Sequence, residues 1–192
     1  MEDIAALIAA GGGAACLLGV SSGAVLALEA AARGLPVTKL AVYEPPFIVD
    51  GTRPPVADDF IPDLHRLLAA GKRDEVVKRF MRMVGMPGVF ILLARLFPNW
   101  RKLVAVAHTV SYDFTILQGT QAGKPLPRDR WSALRAPILV LDGGKSPLWM
   151  RHGCRALADL LPQSSYRTLP DQTHMVKPKV LAPALIEFLE PV

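Results

Sequence analysis

The most constraining feature of the sequence is a short apolar run, followed by a tight turn flanked by glycines and then an alanine-rich segment. Residues 15–18 carry no charge, which is typical of a strand buried in a parallel sheet. The turn at residues 19–23 reads Gly-Val-Ser-Ser-Gly, and residues 22–33 then predict a helix that stops at Gly34. This order predicts a strand-turn-helix unit with the hydroxyl of Ser21 exposed at the apex of the turn.

The rest of the chain alternates between strand-like and helical patterns. Further strands are predicted at residues 39–43, 137–142 and 165–169, with helices at 2–10, 147–161 and 180–189. The intervening part predicts helices alone, at residues 59–70, 73–84, 88–97 and 100–118. We therefore expect an α/β fold with a mostly parallel sheet flanked by helices. Residues 1–46 and 128–192 would form its core, and residues 47–127 a helical cap inserted over the sheet.

Cysteine usage indicates the redox setting. The chain of 192 residues has two cysteines, Cys16 in the strand predicted to be buried and Cys154 in a predicted helix. Their positions match neither a metal-ligand spacing nor a disulfide framework. We therefore expect a reducing, cytoplasmic location, and we expect no metal and no cofactor.

Charge and hydropathy bear on possible partners. The net charge is +5, and residues 65–102 hold nine Lys or Arg residues against Asp74 and Glu75. Such a stretch could attract anionic substrates, lipid head groups or nucleic acid, but we interpret it as the solvated faces of helices and expect no nucleic-acid partner. Residues 4–28 are uncharged, yet glycines interrupt them, so no stable membrane insertion is expected.

A serine hydroxyl is a poor nucleophile at neutral pH, so Ser21 would need an imidazole within hydrogen-bond reach and a carboxylate to orient that imidazole. Of the four histidines, His65, His108 and His152 fall in predicted helices, where surface or packing roles are expected. His174 instead follows the last predicted strand, in Leu-Pro-Asp-Gln-Thr-His.

With its elbow turn at residues 19–23 and His174 after the last strand, the chain resembles the α/β-hydrolases, specifically a capped member with a serine nucleophile. The resemblance implies that His174 is the general base. It places the acid shortly after the third of these strands, but Ser146 stands there. Two carboxylates could substitute: Glu44, at a position that some family members use for the acid, and Asp142. We favour Glu44 over Asp142.

The resemblance also implies a reaction. Dehalogenases and epoxide hydrolases of this fold carry aspartate at the elbow, so Ser21 argues against both. The expected activity is hydrolysis of small carboxylic esters through an acyl-enzyme on Ser21, with the Ser22 amide donating to the oxyanion. The alternative is a weak or inactive relative that binds a small apolar ligand or a protein partner.

Family members normally carry further strands before the elbow, and one of the loops between them supplies a second oxyanion donor. This sequence has nothing that matches those strands, so the activity is expected to be weak. The elbow strand would then form a sheet edge with exposed apolar surface, and we expect a second copy of the chain to cover it in a homodimer.

Overall fold

The computed structural model describes residues 1–190 and divides into two compact units, Met1–Pro55 with Gly119–Val192, and Val56–Gln118. Along the described chain the helices and strands are α1 (Glu2–Ala10), β1 (Ala15–Val20), α2 (Ser22–Ala32), β2 (Val37–Tyr43), α3 (Phe60–Ala69), α4 (Arg73–Met83), α5 (Gly88–Ala94), α6 (Asn99–Ala105), α7 (Thr109–Ile116), β3 (Ile138–Gly143), α8 (Leu148–Leu160), β4 (Ser164–Leu169) and α9 (Pro178–Leu189).

The first unit is built on a four-stranded sheet in the order β1-β2-β3-β4, and every neighbouring pair is parallel. Strand β3 is buried along its whole length, because it lies inside the sheet and carries the apolar run Ile-Leu-Val-Leu. Lys39 in β2 donates to the carbonyl oxygens of Phe188 and Glu190 at the end of α9, at 2.9 and 2.8 Å. The predicted fold class, a mostly parallel sheet flanked by helices, is confirmed.

Strand β1 differs from its predicted environment. Among the described residues it pairs only with β2, so it lies at the edge of the sheet. Leu18 and Val20 remain 47% and 39% exposed, and Cys16, predicted to be buried, is exposed. The prediction of a fully buried strand was therefore wrong, because an uncharged run is compatible with an edge strand as well as with an inner one. The edge position and the exposed apolar surface, which the resemblance led us to expect, are observed. The homodimer contact predicted for this edge stays a prediction.

The turn after β1 depends on one of its two glycines. A Cβ at Gly19 would lie 2.4 Å from the carbonyl oxygen of Gly23 and 2.5 Å from the Cα of Ala24, so α2 can approach the strand only if residue 19 has no side chain. A Cβ at Gly23 would meet nothing within 4 Å. Of the two glycines that flank the serine, only Gly19 is therefore required sterically.

The second unit, Val56–Gln118, consists of helices α3 to α7 around its own apolar core. That core contains the buried side chains of Phe60, Leu64, Val76, Val77, Ile91, Trp100, Ala107 and Phe114. The indole nitrogen of Trp100 donates to Asp74 Oδ1 at 2.6 Å, which ties α6 to α4. This unit lies within the range 47–127 that the sequence assigns to a cap, and the cap role stays a prediction.

One helix predicted for this unit is divided into two helices in the structure. Residues 100–118 were expected to be continuous, but α6 ends at Ala105 and α7 begins at Thr109. At the break, Thr109 Oγ1 donates to the Val106 carbonyl at 2.9 Å and Ser111 Oγ to the His108 carbonyl at 2.9 Å. Such local bonds compete with helical hydrogen bonding and favour a turn.

No helix within residues 1–190 combines the length and the hydrophobicity that crossing a bilayer requires.

We predict opposite effects for the two glycines of the turn. Gly19→Ala should lower the free energy of unfolding by about 3 kcal/mol, because the new methyl group overlaps backbone atoms of α2. Gly23→Ala should raise it by about 0.5–1 kcal/mol, since alanine is the better helix former and the position is open. Urea denaturation followed by circular dichroism measures both, and equal destabilisation by the two changes would contradict the steric argument.

Candidate active site

The candidate residues lie where the parallel strands end. Ser21 directly follows β1 and Glu44 directly follows β2, while His174 lies in the loop after β4. Because the strands are parallel and in register, their C-terminal ends lie along the same side of the sheet, which we call its C-terminal edge. That edge is where open α/β sheets generally place their ligands.

The backbone holds Ser21 in a strained conformation. Its φ is 56° and its ψ is −129°, a combination that a residue with a side chain rarely adopts. The Ser21 amide donates to the Tyr43 carbonyl at 2.9 Å, and its own carbonyl accepts from the Ala24 amide at 3.0 Å. Helix α2 starts at the next residue, so the amide of Ser22 belongs to its first turn, where helices have amides without intrahelical partners and attract negative charge.

The carboxylate of Glu44 contacts both the end of β3 and the loop after β4. Its side chain is fully buried; Oε1 accepts the Gly143 amide at 2.7 Å, and Oε2 lies 2.9 Å from His174 Nδ1. A carboxylate accepts protons in hydrogen bonds, so Nδ1 of a neutral His174 carries the proton and donates it to Glu44. The other ring nitrogen, Nε2, is then left with a free lone pair and can act as a base.

The loop that carries His174 is held close to β3 and β2. Lys145 donates its amide to the Gln172 carbonyl at 2.8 Å, and a Cβ at Gly143 would come within 2.4 Å of that same oxygen. The phenol of Tyr43 donates to the Thr173 carbonyl at 2.6 Å. Burial raises the pKa of Tyr43, and the nearby charges of Glu44 and Asp142 raise it further, so the phenol keeps the proton that it donates.

Sequence reasoning missed the roles of Tyr43 and Gly143. Nothing in the sequence marks Tyr43 as more than an apolar strand residue. The glycine pair after β3 is a visible signal, but it reads as an ordinary turn. Only the packing of the two loops shows that residue 143 must lack a side chain and that its amide binds Glu44.

Asp142, the other candidate for the acid, faces different partners. It is fully buried, and its Oδ2 accepts the phenol of Tyr166 at 2.5 Å and lies 3.5 Å from Arg151 Nε. The imidazole of His174 therefore contacts Glu44 and not Asp142. Ser146, at the place where the resemblance puts the acid, is buried too, and it carries no carboxylate.

Two other reactive side chains of the first unit, His152 and Cys154, have partners or surroundings that set them apart from a nucleophile or base. His152 Nδ1 lies 2.6 Å from Asp50 Oδ2, and hydrogen bonds from Thr52, with a further one from His152, lower the pKa of Asp50 to about 2. Cys154 is fully buried, and burial raises the pKa of its thiol, which disfavours the reactive thiolate. In residues 1–190 no three His, Cys, Asp or Glu side chains converge as metal ligands.

Ser21 Oγ and the His174 imidazole are not hydrogen-bonded in the described structure. In enzymes without substrate, such bonds are often long and tighten only when the substrate binds. The arrangement thus consists of a fixed serine, an imidazole oriented by a buried carboxylate, and a helix start beside the serine.

Comparisons with known proteins agree with this fold. A family model described as the alpha/beta hydrolase family matches residues 1–184. The solved structure of an alpha/beta hydrolase from Sphaerobacter thermophilus is 46% identical; the match covers 98% of this chain and 72% of that chain, with a TM-score of 0.85. A search of curated proteins found no match.

More distant structures share the fold. A hydrolase from Pseudomonas aeruginosa is 20% identical over 99% of this chain and 70% of that chain, with a TM-score of 0.66. A thermophilic esterase from Thermogutta terrifontis is 24% identical over 97% of this chain and 69% of that chain, with a TM-score of 0.55. By its sheet, by the match of the family model and by its likeness to the Sphaerobacter thermophilus protein, the chain belongs to the alpha/beta hydrolase family.

Proposed function

We propose that the chain is a serine hydrolase that cleaves small carboxylic esters, with Ser21 as nucleophile, His174 as general base and Glu44 as the acid. The observation that supports this most is the contact of 2.9 Å between Glu44 Oε2 and His174 Nδ1. It lies at the C-terminal edge of the sheet, where Ser21 occupies the strained turn. An esterase among the structural neighbours has the same fold, which is compatible with this chemistry.

The acylation step uses the unprotonated Nε2 of His174. As Ser21 Oγ attacks the ester carbonyl carbon, Nε2 takes the hydroxyl proton, and Glu44 stabilises the resulting imidazolium through the Nδ1 hydrogen bond. The carbonyl π electrons move to oxygen, and the negative charge faces the Ser22 amide at the start of α2. Collapse of the tetrahedral intermediate expels the alkoxide, which takes the proton from Nε2 and leaves as the alcohol.

Deacylation repeats these steps with water. Nε2 of His174 removes a proton from water as the oxygen attacks the acyl-Ser21 carbonyl, and the proton then returns to Ser21 Oγ as the carboxylic acid leaves. We propose a reducing, cytoplasmic setting for this reaction, because Cys16 and Cys154 are both free thiols and Cys16 is exposed.

A catalytically weak or inactive relative that binds a small apolar ligand or a protein partner is the second candidate. It is favoured by one observation, namely that Ser21 Oγ and His174 are not hydrogen-bonded in the described structure. The two candidates differ in whether Ser21 reacts with an electrophile, and the labelling experiment below distinguishes them.

We predict that a fluorophosphonate probe labels the protein at Ser21. The activated hydroxyl displaces fluoride from phosphorus, whereas an ordinary serine hydroxyl reacts negligibly. Labelling, measured by mass spectrometry, should disappear in Ser21→Ala and persist in Ser132→Ala, whose side chain lies on an exposed turn. Absence of labelling in the folded, unaltered protein would favour the binding-protein alternative.

The choice of acid can be tested with two matched changes, since Glu44 and Asp142 are both fully buried carboxylates at the ends of neighbouring strands. Glu44→Gln should lower kcat on a short-chain p-nitrophenyl ester about a thousandfold or more, because an amide can neither hold the proton on Nδ1 nor stabilise the imidazolium. Asp142→Asn keeps an acceptor for Tyr166 and should leave kcat close to that of the unaltered protein.

Circular dichroism and urea denaturation establish that both variants fold. If folded Asp142→Asn loses turnover while Glu44→Gln retains it, Glu44 is not the acid.

A further inference from the structure

The second unit exposes an unusual amount of apolar side chain around α5. We use the name α5 surface for the exposed side chains of Val89, Phe90, Leu92, Leu93, Leu96 and Phe97. Leu96 is 81% exposed and Phe97 is 64% exposed. Monomeric proteins rarely leave large apolar side chains contiguous and uncovered without a partner or ligand for them.

The α5 surface is not a poorly packed part of the core. Ile91 on the same helix is buried in the core of the unit, and Trp100 just beyond the surface is buried and donates to Asp74. Ile91 within the segment and Trp100 after it hold the backbone against the core, so the remaining apolar side chains point away from that core.

The charged residues that adjoin the α5 surface in sequence are mostly basic. Residues 76–112 contain six Lys or Arg residues and no Asp or Glu. Three of the six are paired with carboxylates outside this range: Lys78 and Arg79 lie 2.6 Å from Asp74 and Asp63 respectively, and Arg95 lies 3.7 Å from Asp74. Arg82, Arg101 and Lys102, in contrast, are exposed, and within residues 1–190 they make no ion pair. Uncompensated positive charge therefore accompanies the exposed apolar side chains.

We propose that the α5 surface binds peripherally to an anionic lipid bilayer. The apolar side chains would enter the boundary between head groups and acyl chains, while Arg82, Arg101 and Lys102 face lipid phosphates and carboxylates. Helix α5 has seven residues and is therefore far too short to span a bilayer, so the binding is interfacial.

Charge also decides against a second copy of the chain as the occupant. A two-fold contact places the same surface on both sides, so Arg82, Arg101 and Lys102 would face their own copies. The adjoining carboxylates of α4, Asp74 and Glu75, are already paired with Lys78, and Asp74 also with Arg95. An anionic membrane supplies the opposite charge and an apolar layer together. The inference does not depend on the proposed esterase activity.

The test is co-sedimentation of the full chain with vesicles of phosphatidylcholine mixed with phosphatidylserine, compared with vesicles of phosphatidylcholine alone. We expect binding to the anionic vesicles that weakens as salt is added. The double change Leu96→Ser with Phe97→Ser should weaken it at least about tenfold, because two exposed apolar side chains no longer enter the lipid. Arg101→Gln with Lys102→Gln should weaken it about fivefold for each charge removed.

Two control variants make comparable changes elsewhere, in the first unit. Ile186→Ser removes an exposed apolar side chain from α9, and Lys124→Gln removes an exposed charge; neither should alter vesicle binding. Ser21→Ala should bind vesicles as well as the unaltered protein does, so failure of the esterase proposal and failure of this one are distinguishable.

Three outcomes would overturn the inference. The first is no binding to anionic vesicles, or equal binding with and without phosphatidylserine. The second is a concentration-dependent dimer in light scattering that the Leu96 and Phe97 changes abolish, which would make the α5 surface a contact between copies. The third is tighter binding to a single-stranded oligonucleotide than to the vesicles, which would assign the basic residues to nucleic acid.

Discussion

The site depends on a single buried carboxylate. Glu44 lies at the end of β2, and its two oxygens contact the Gly143 amide at the end of β3 and the His174 imidazole beyond β4. Burying a charge is costly unless it is hydrogen-bonded, and here both oxygens have a donor. The contacts that compensate for burial are the same ones that orient the imidazole, so stability and the proposed catalysis rest on one interaction.

Backbone strain is concentrated around that carboxylate. Within residues 1–190, the side-chain-bearing residues with positive φ are Ser21, Glu44 and Asp171, and each of them follows a strand at this edge of the sheet. Such conformations persist only where the surroundings impose them. Close packing imposes them here: α2 against β1 at Gly19, and the His174 loop against β3 at Gly143.

The two units rest on different chemistry. The sheet unit buries some of its charges in specific pairs, such as Glu29 with Arg130 at 2.8 Å. The helical unit has its own core, yet it leaves the α5 surface exposed beside unpaired basic residues. Residues 65–102, which we interpreted from the sequence as solvated helix faces, thus also expose apolar side chains. Periodicity alone does not reveal this exposure, because α5 is short and apolar nearly all round.

The sequence by itself determined the local elements: the strands, most helices, the elbow turn and the candidates Ser21 and His174. These follow from apolar runs, glycine positions and chain order, which are local signals. It left the acid open between Glu44 and Asp142, it placed β1 at a sheet edge while its apolar run predicted full burial, and it joined α6 to α7. The break between α6 and α7 is a local effect, made by bonds from Thr109 and Ser111 to carbonyls three residues earlier, which the apolar pattern does not reveal. Only the tertiary structure decided the other two points, because each depends on residues distant in sequence: the strand register that brings Glu44 to His174, and the pairing of β1 with β2 alone among the described residues, which leaves Leu18 and Val20 exposed.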